Sequence, residues 1–148
     1  MKLTKQQIKN LSVLNIAGRG GKDKLIAEAM GHTRQSAKYH DGVDITGQRW
    51  EYKKQQGIQF FDPYKFSQMT EQEKQIPILF FMHSNGTIVS IYKATYAQVI
   101  DTMGYTEDGL ARLNKLFKLP EFANRMIQPK AQLNKDEILS FQKVWELK

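Results

Sequence analysis

The segment "DGVDITGQRWEYKKQ", residues 41–55, combines the alternation of a β-strand with a closely spaced acid and lysine. Two runs of strand-like composition, "AKYHDGVDI" and "RWEYKKQ", flank the turn residues "TGQ", and this arrangement predicts a β-hairpin. Side chains on a strand alternate between its two faces, so Glu51 and Lys53 share one face while Trp50 and Tyr52 share the other. The aromatic pair can therefore bury against a core, and the acid–lysine pair lies on the opposite side of the strand.

Further helices and strands are predicted on both sides of this hairpin. After it, "IPILFFMHS" predicts a buried strand, Asn85–Gly86 a hairpin turn and "TIVSIYKA" the returning strand. The helical segments are "TKQQIKNLSVLNI" and "KDKLIAEAMG" before the hairpin, "FDPYKFSQMTEQEKQ" after it, and "TYAQVIDTMG", "TEDGLARLNKLFKL" and "NKDEILSFQKVWEL" from residue 95 onward. This order predicts an α+β fold in which one mixed sheet of about four to five strands is flanked by helices.

The composition is that of one folded, basic domain. The chain has 148 residues, of which 41% are hydrophobic and 25% are charged, so we expect a single domain spanning residues 1–148. It has no cysteine, which excludes disulfides, thiolate metal sites and cysteine nucleophiles. No apolar run approaches the roughly 20 residues that span a bilayer, and no signal peptide is apparent, so we expect a cytoplasmic protein without membrane contact. The formal net charge of +7 favours a polyanionic partner.

The acids of the first hairpin are candidates for metal binding. Two carboxylates from neighbouring strands can bind a hard cation such as Mg²⁺ through oxygen ligands. The cation can polarise a phosphate oxygen and activate a hydroxide, and a lysine adds positive charge where the phosphate develops negative charge. The same residues also suit an ordinary surface hairpin with a cross-strand ion pair, because Glu-x-Lys occurs by chance in many chains.

The spacing within "HDGVDITGQRWEYKKQ" resembles the active-site hairpin of the PD-(D/E)xK nuclease superfamily, and in particular that of the PvuII-like type II restriction endonucleases. The shared pattern is an acid, nine residues, a glutamate, one residue and a lysine, which here are Asp41, Glu51 and Lys53. The upstream segment "GRGGKDKL" resembles the glycine-rich loop of these enzymes, and "QIPILFFMHSNGTIVSIYKAT" resembles their later hairpin.

The chain departs from the family pattern in two places. His40 stands where the superfamily name has a proline, and the segment between Lys53 and Pro63 is shorter and lacks the histidines that the related enzymes use to read bases. The C-terminal third has no counterpart that we can align.

The resemblance implies a restriction-endonuclease-like core and a Mg²⁺-dependent type II restriction endonuclease that cleaves double-stranded DNA to give 5′-phosphate ends. It implies that Asp41 and Glu51 hold the metal, that the backbone carbonyl of Tyr52 is a further ligand, and that Lys53 assists the attacking water. It also implies a homodimer, whose two-fold symmetry matches a palindromic site. Mn²⁺ is expected to substitute for Mg²⁺, and Ca²⁺ to support binding without cleavage.

The hairpin geometry leaves Asp44 open as the alternative metal ligand. If Gly47 and Gln48 are the two turn residues, Asp44 lies opposite Glu51 and shares its face, whereas Asp41 points the other way. Asp41 reaches Glu51 only if the hairpin contains a bulge or a longer turn, and Gly42 is a candidate position for the chain to bend.

The expected DNA-binding residues lie in three places. The glycine-rich loop could approach a groove or the dimer contact, although an ordinary solvated loop explains it equally well. The catalytic strand and its continuation could read bases, and the following helix could contact phosphates. In this order the residues are Arg19, Gly20 and Lys22; Lys54, Gln55, Gln56 and Gln59; and Tyr64 and Lys65.

We therefore expect residues 1–35 to form N-terminal helices and the dimer or minor-groove loop, residues 36–93 the catalytic sheet, and residues 94–148 C-terminal helices. Two other functions remain open. One is a phage, homing or repair nuclease on the same scaffold, and the other is a non-catalytic basic DNA-binding domain whose acids only form ion pairs. Metal-dependent cleavage would distinguish a nuclease of either kind from the non-catalytic DNA-binding domain.

Overall fold

The computed structural model describes residues 1–18, 20–55, 57–119 and 131–148, and of residue 55 it describes the backbone. The strands are β1 Thr33–Arg34, β2 Gly42–Val43, β3 Arg49–Gln55, β4 Gln59–Phe60, β5 Pro77–Ser84, β6 Thr87–Thr95, β7 Gln132–Leu133 and β8 Gln142–Glu146. The helices are α1 Lys5–Ser12, α2 Asp23–Met30, α3 Pro63–Ser67, α4 Tyr96–Thr102, α5 Glu107–Phe117 and α6 Lys135–Leu139, with a 3₁₀ turn at Glu73–Gln75.

Six strands form one mixed sheet in the order β1-β2-β3-β5-β6-β8, and β4 pairs with β7 in a separate two-stranded ribbon. All neighbours in the large sheet are antiparallel except β3 and β5, which run parallel. The chain connects these two strands through β4, α3 and the 3₁₀ turn. The predicted α+β class with a mixed, helix-flanked sheet is confirmed, and the sheet has more strands than the four to five expected.

The sheet has a hydrophobic core on each face. Alternate residues of β5 point to opposite faces, so Phe80 packs in the core beneath α3, α4 and α5, while Phe81 packs in the core beneath α1 and α2. Both side chains are fully buried, as expected for a continuously apolar central strand. Trp50 and Tyr52 join the core beneath α1 and α2, which confirms the face predicted for them.

Local sequence signals account for several element ends. Asn85 and Gly86 both adopt positive φ, 50° and 93°, as the predicted hairpin turn between β5 and β6 requires. Thr4, Thr95 and Asn134 each form a capping box at the start of a helix.

The prediction of a continuous C-terminal helix is wrong. Helix α6 ends at Leu139, and Gln142–Glu146 instead forms β8 on the edge of β6, with Ile91 opposite Trp145. The apolar residues Ile138, Phe141 and Trp145 do have helical spacing. However, pairing with β6 covers an otherwise open sheet edge, and this long-range gain outweighs the local pattern. The region 94–148 is therefore not purely helical.

The first strand of the hairpin between β2 and β3 is also shorter than expected, because pairing is limited to Gly42–Val43 rather than extending from residue 37. Among the described residues, no helix is long and apolar enough to cross a membrane.

Gly42 is required by the close approach of Tyr52 and His32. A Cβ at this position would overlap the Tyr52 hydroxyl and lie 3.0 Å from the Tyr52 Cζ and 3.3 Å from the His32 Cβ. The hydroxyl has little freedom to move, because Tyr52 is buried and its Oη lies 2.7 Å from the His32 Nδ1.

Gly42→Ala is therefore expected to lower the free energy of unfolding by about 1–3 kcal/mol, as overpacking of a core does. Urea denaturation measures this loss, and Gly57→Ala is the matched control because no atom lies within 4 Å of its added Cβ. The cost of Gly42→Ala should shrink in a Tyr52→Phe background, which lacks the hydroxyl. An equal cost in both backgrounds would contradict the assigned contact.

Candidate active site

The turn of the first hairpin determines which acid faces Glu51. The Asp44 N–H donates to the Gln48 carbonyl at 2.9 Å, and the Gly47 N–H donates to the Asp44 carbonyl at 3.0 Å. The turn therefore runs from Asp44 to Gln48 and is longer than two residues. The strand register pairs Gly42 with Trp50, and its continuation by one residue brings Asp41 opposite Glu51.

Asp44 is engaged within this turn. Its Oδ1 accepts hydrogen bonds from the Thr46 N–H at 2.9 Å, the Thr46 hydroxyl at 2.6 Å and the Gln48 N–H at 3.0 Å, and its Oδ2 accepts from the Trp50 indole at 3.0 Å. Burial alone raises the pKa of Asp44, but these hydrogen bonds outweigh burial and lower the pKa to about 2. The carboxylate thus stabilises the turn, and this arrangement favours Asp41 as the acid of the site.

Asp41 lies where β2 stops pairing with β3. Its Oδ2 accepts a hydrogen bond from the Tyr52 N–H at 2.9 Å, so the carboxylate replaces a ladder partner of that strand. Burial raises the pKa of Asp41 to about 7, with further contributions from a hydrogen bond to Glu51 and from the Glu51 charge. The hydrogen bond from the Tyr52 N–H and the charge of Lys53 act to lower the pKa of Asp41, but they do not offset the effects that raise it.

Glu51 is buried and held by a tyrosine that sequence reasoning missed. Its side chain lies in the core-facing position with 9% of the residue exposed, and its Oε2 accepts from the Tyr96 hydroxyl at 2.7 Å. The same hydroxyl lies 3.0 Å from the Tyr39 carbonyl oxygen. Burial, followed by the Glu51 charge, raises the pKa of Tyr96, so the phenol remains a neutral hydrogen-bond donor. No local signal identifies Tyr96, because it lies 45 residues from Glu51 and opens a different helix.

Lys53 shares a side of β3 with Glu51, as predicted. Its Nζ lies 3.7 Å from the Glu51 Oε2 and 5.1 Å from the centroid of the Phe61 ring. Both Glu51 and Lys53 line a cavity of about 200 Å³ between β3 and α3. The cationic group is thus beside the carboxylate and next to a space that a substrate group could enter.

Asp23 is a second residue that the sequence did not identify. It is the first residue of α2, and burial, followed by the charge of Asp41 and a hydrogen bond with it, raises the pKa of Asp23. The three acids are linked in sequence, because Asp23 shares a hydrogen bond with Asp41 and Asp41 shares one with Glu51. In the described part of the chain, no group of three or more histidine, cysteine or acidic side chains could jointly hold a metal ion.

The donor set nevertheless fits Mg²⁺, which proteins bind through one or two carboxylates together with water and substrate oxygens. The carboxylates of Asp41 and Glu51 are hard oxygen donors within hydrogen-bond reach of each other. The N–H and C=O of a strand residue point toward the same neighbouring strand, and the Tyr52 N–H points at Asp41. The Tyr52 carbonyl therefore faces the same sheet edge as Asp41.

The predicted DNA-binding residues lie in different settings. The Lys54 ammonium donates to the Gly18 carbonyl, which places the glycine-rich loop beside β3. Gly20 is exposed in that loop, and Lys22 directly precedes α2. Lys65 lines the cavity, whereas the Gln59 amide donates to the Phe60 carbonyl at 3.0 Å, and Tyr64 is half-buried on α3. Arg19, Gln56 and the Gln55 side chain lie outside the described residues.

The pKa of Asp41 makes the stability of the metal-free protein dependent on pH. A folded-state pKa of about 7, against 3.8 for an ordinary aspartate, gives a contribution to stability that is present at low pH. This contribution is lost as pH rises through about 7, because only the folded state still holds the proton between the two values. In EDTA, urea denaturation should therefore show wild type losing stability relative to Asp41→Asn between about pH 4 and pH 7. Parallel pH profiles for the two proteins would contradict the assigned shift.

In comparisons with known proteins, no family model and no curated protein matches this chain.

Proposed function

We propose that this protein is a Mg²⁺-dependent endodeoxyribonuclease that cleaves double-stranded DNA site-specifically, as a homodimeric type II restriction endonuclease. The observation that carries the proposal is the position of Asp41 opposite Glu51, with Lys53 3.7 Å from the same glutamate. This is the acid, acid and lysine set of the PD-(D/E)xK pattern, and the longer hairpin turn brings it together at one edge of β3.

Asp41, Glu51 and the Tyr52 carbonyl would hold the cation. When bound, Mg²⁺ supplies charge stabilisation at a phosphate oxygen and lowers the pKa of a bound water. Tyr96 fixes the Glu51 carboxylate through a hydrogen bond of 2.7 Å, so this ligand is oriented before the cation arrives. The Tyr52 N–H does the same for Asp41.

Lys53 places its ammonium where negative charge accumulates during attack on the phosphodiester. The attacking water gives up a proton to the solvent, its oxygen bonds to phosphorus, and the bond between phosphorus and the 3′ oxygen breaks. The products carry a 5′-phosphate and a 3′-hydroxyl, the latter after the leaving oxygen takes a proton from water. The Lys53 ammonium stabilises both the attacking hydroxide and the negative charge of the phosphorane, in surroundings that are partly shielded from water.

The net charge of +7 supports a DNA substrate, because lysine and arginine contacts to phosphates provide most of the sequence-independent affinity. Lys38, Lys53 and Lys65 line the cavity beside the site, and Lys54 contacts the glycine-rich loop. Three of these cations line the same cavity as Glu51, so a polyanion can approach a carboxylate that would otherwise repel it. Two such sites in a two-fold dimer would cut both strands of a palindrome.

A digest of phage lambda DNA in Mg²⁺, run beside the Glu51→Gln variant, tests the proposal. Discrete fragments from the wild type alone would support a site-specific nuclease centred on this hairpin. A smear that depends on Glu51 would retain the nuclease and favour a repair or structure-selective role. Equal cleavage by both proteins would overturn the site. Intact DNA in both lanes, together with salt-dependent binding, would favour a DNA-binding domain without catalysis.

Tyr96→Phe should slow cleavage by roughly 10–100-fold, because a hydrogen bond to a charged group contributes about 1.5–3 kcal/mol. The apparent Mg²⁺ affinity should fall with the rate, since Glu51 loses the contact that orients it. Tyr92→Phe is the matched control, because Tyr92 is equally buried but belongs to β6, beyond β5. Steady-state cleavage at several Mg²⁺ concentrations gives both quantities, and a wild-type Mg²⁺ dependence in Tyr96→Phe would rule out this role.

A further inference from the structure

The cavity beside Glu51 and Lys53 has walls that the cleavage chemistry does not require. Its volume is about 200 Å³, and Phe61, Phe66 and Met69 form its apolar side. A phosphate group needs donors and cations rather than aromatic rings. Drug-sized ligands occupy pockets of roughly 300–1,000 Å³, so this space suits one planar ring rather than a larger molecule.

Phe60 lies at the same cavity and is an unusual residue for a protein surface. Its exposed fraction is 61%, and Ile58, two residues earlier, is 51% exposed. Phe60 belongs to the ribbon of β4 and β7, in which it pairs with Gln132, and this ribbon is separate from the main sheet. The next residue, Phe61, is buried and anchors the ribbon against Phe66 and Phe80.

Several lysines line the cavity together with the exposed Phe60 ring. Lys38 and Lys65 line the cavity together with Lys53, and the Lys38 ammonium is held by the Gln68 side-chain oxygen at 2.8 Å. An aromatic surface next to several lysines matches a nucleotide, which presents a flat ring and a phosphate together. In an intact duplex the base faces are covered by stacking, so Phe60 can cover a base only when that base leaves the stack.

We propose that the cavity between β3, α3 and β4 receives a single unstacked nucleotide of the DNA strand, with its base against Phe60 and its phosphate near Lys38 and Lys65. This inference rests on the proposed function and adds to it that the DNA is locally unstacked next to the scissile phosphate. The apolar walls cover the ring, and the lysines at the opening bind the backbone that enters with it. Lys53 and Glu51 both line this cavity, so the held nucleotide is adjacent to both side chains.

The test compares binding of two single-stranded oligonucleotides of equal length and charge, one with normal bases and one with abasic sugars at its centre. Fluorescence anisotropy in Ca²⁺ measures both affinities without requiring cleavage or a known recognition sequence. Wild type should prefer the strand with bases by about tenfold, and Phe60→Ala should lose this preference while Phe60→Trp retains it. Equal affinity of wild type for both strands, binding of neither, or an unchanged preference in Phe60→Ala would each overturn the proposal.

Ile45→Ala is the matched control, because Ile45 is an exposed apolar residue, at 99%, in the hairpin turn and does not line the cavity. Its preference for bases should equal that of wild type. Thermal melting should show that Phe60→Ala folds normally, as expected for an exposed side chain. Failure of the proposed nuclease function appears separately, as the absence of Glu51-dependent cleavage in the lambda digest. Cleavage without any base preference would therefore overturn the nucleotide pocket alone.

Discussion

Under the proposed function, Glu51→Gln is expected to reduce Mg²⁺-dependent cleavage by roughly a thousandfold, because loss of a carboxylate that would hold the cation removes several kcal/mol of transition-state stabilisation. The amide keeps the size of the side chain and an oxygen that accepts from Tyr96, so the fold and the 2.7 Å contact should survive. DNA binding should persist and become tighter, since a negative charge that repels phosphate is removed. Single-turnover cleavage and binding in Ca²⁺ measure the two effects separately.

Two further variants sharpen this result. Asp41→Asn should match Glu51→Gln, because Asp41 lies opposite Glu51 and shares a hydrogen bond with it. Asp44→Asn should cleave at close to the wild-type rate and lose only stability, because the Asp44 carboxylate is engaged by Thr46, Gln48 and Trp50 in the turn. A cleavage defect in Asp44→Asn with normal activity in Asp41→Asn would reverse the assignment of the two acids.

Lys53→Met should lower the rate of the chemical step by roughly 10²–10³-fold, the loss typical of removing one electrostatic stabiliser of a developing charge. Methionine keeps much of the aliphatic stem that packs near Phe61 but removes the ammonium 3.7 Å from Glu51. Metal binding should change little, because the lysine is not a ligand. Single-turnover rates with saturating DNA isolate the chemical step from binding.

Lys54→Met is the matched control for this variant. Lys54 is the residue of β3 that follows Lys53, so it points to the other face of the strand, and it donates to the Gly18 carbonyl. Its loss should weaken DNA binding or alter the glycine-rich loop, and leave the rate at saturating DNA near that of wild type. If both lysine variants lost the same amount of rate, a specific role for Lys53 in the chemistry would be excluded.

Several features of this protein follow from local sequence alone. The alternation of "RWEYKKQ" separates Trp50 and Tyr52 from Glu51 and Lys53, and the structure buries the aromatic pair in the core beneath α1 and α2. The Asn85–Gly86 turn, the apolar strand β5 and the cap of α4 at Thr95 likewise depend on neighbours within a few residues. In each of these places a steric or hydrogen-bonding preference of nearby residues agrees with the final fold.

The contacts of the candidate site depend on residues far apart in the chain. Tyr96 holds Glu51 across 45 positions, and Asp23 approaches Asp41 from another helix, so no spacing rule reveals either contact. The choice between Asp41 and Asp44 rests on a turn whose length is set by side-chain hydrogen bonds of Asp44 itself.

In the C-terminal segment, the local sequence pattern predicts a structure that does not form. Its helical spacing is real, yet Gln142–Glu146 becomes β8 because the edge of β6 offers backbone partners that the local sequence does not contain. Local sequence therefore determined the faces, caps and tight turns of this protein, since those depend on short-range sterics and hydrogen bonds. The tertiary structure determined the register, the edge strand and the buried partners of the acids, because these arise only when distant segments pack together.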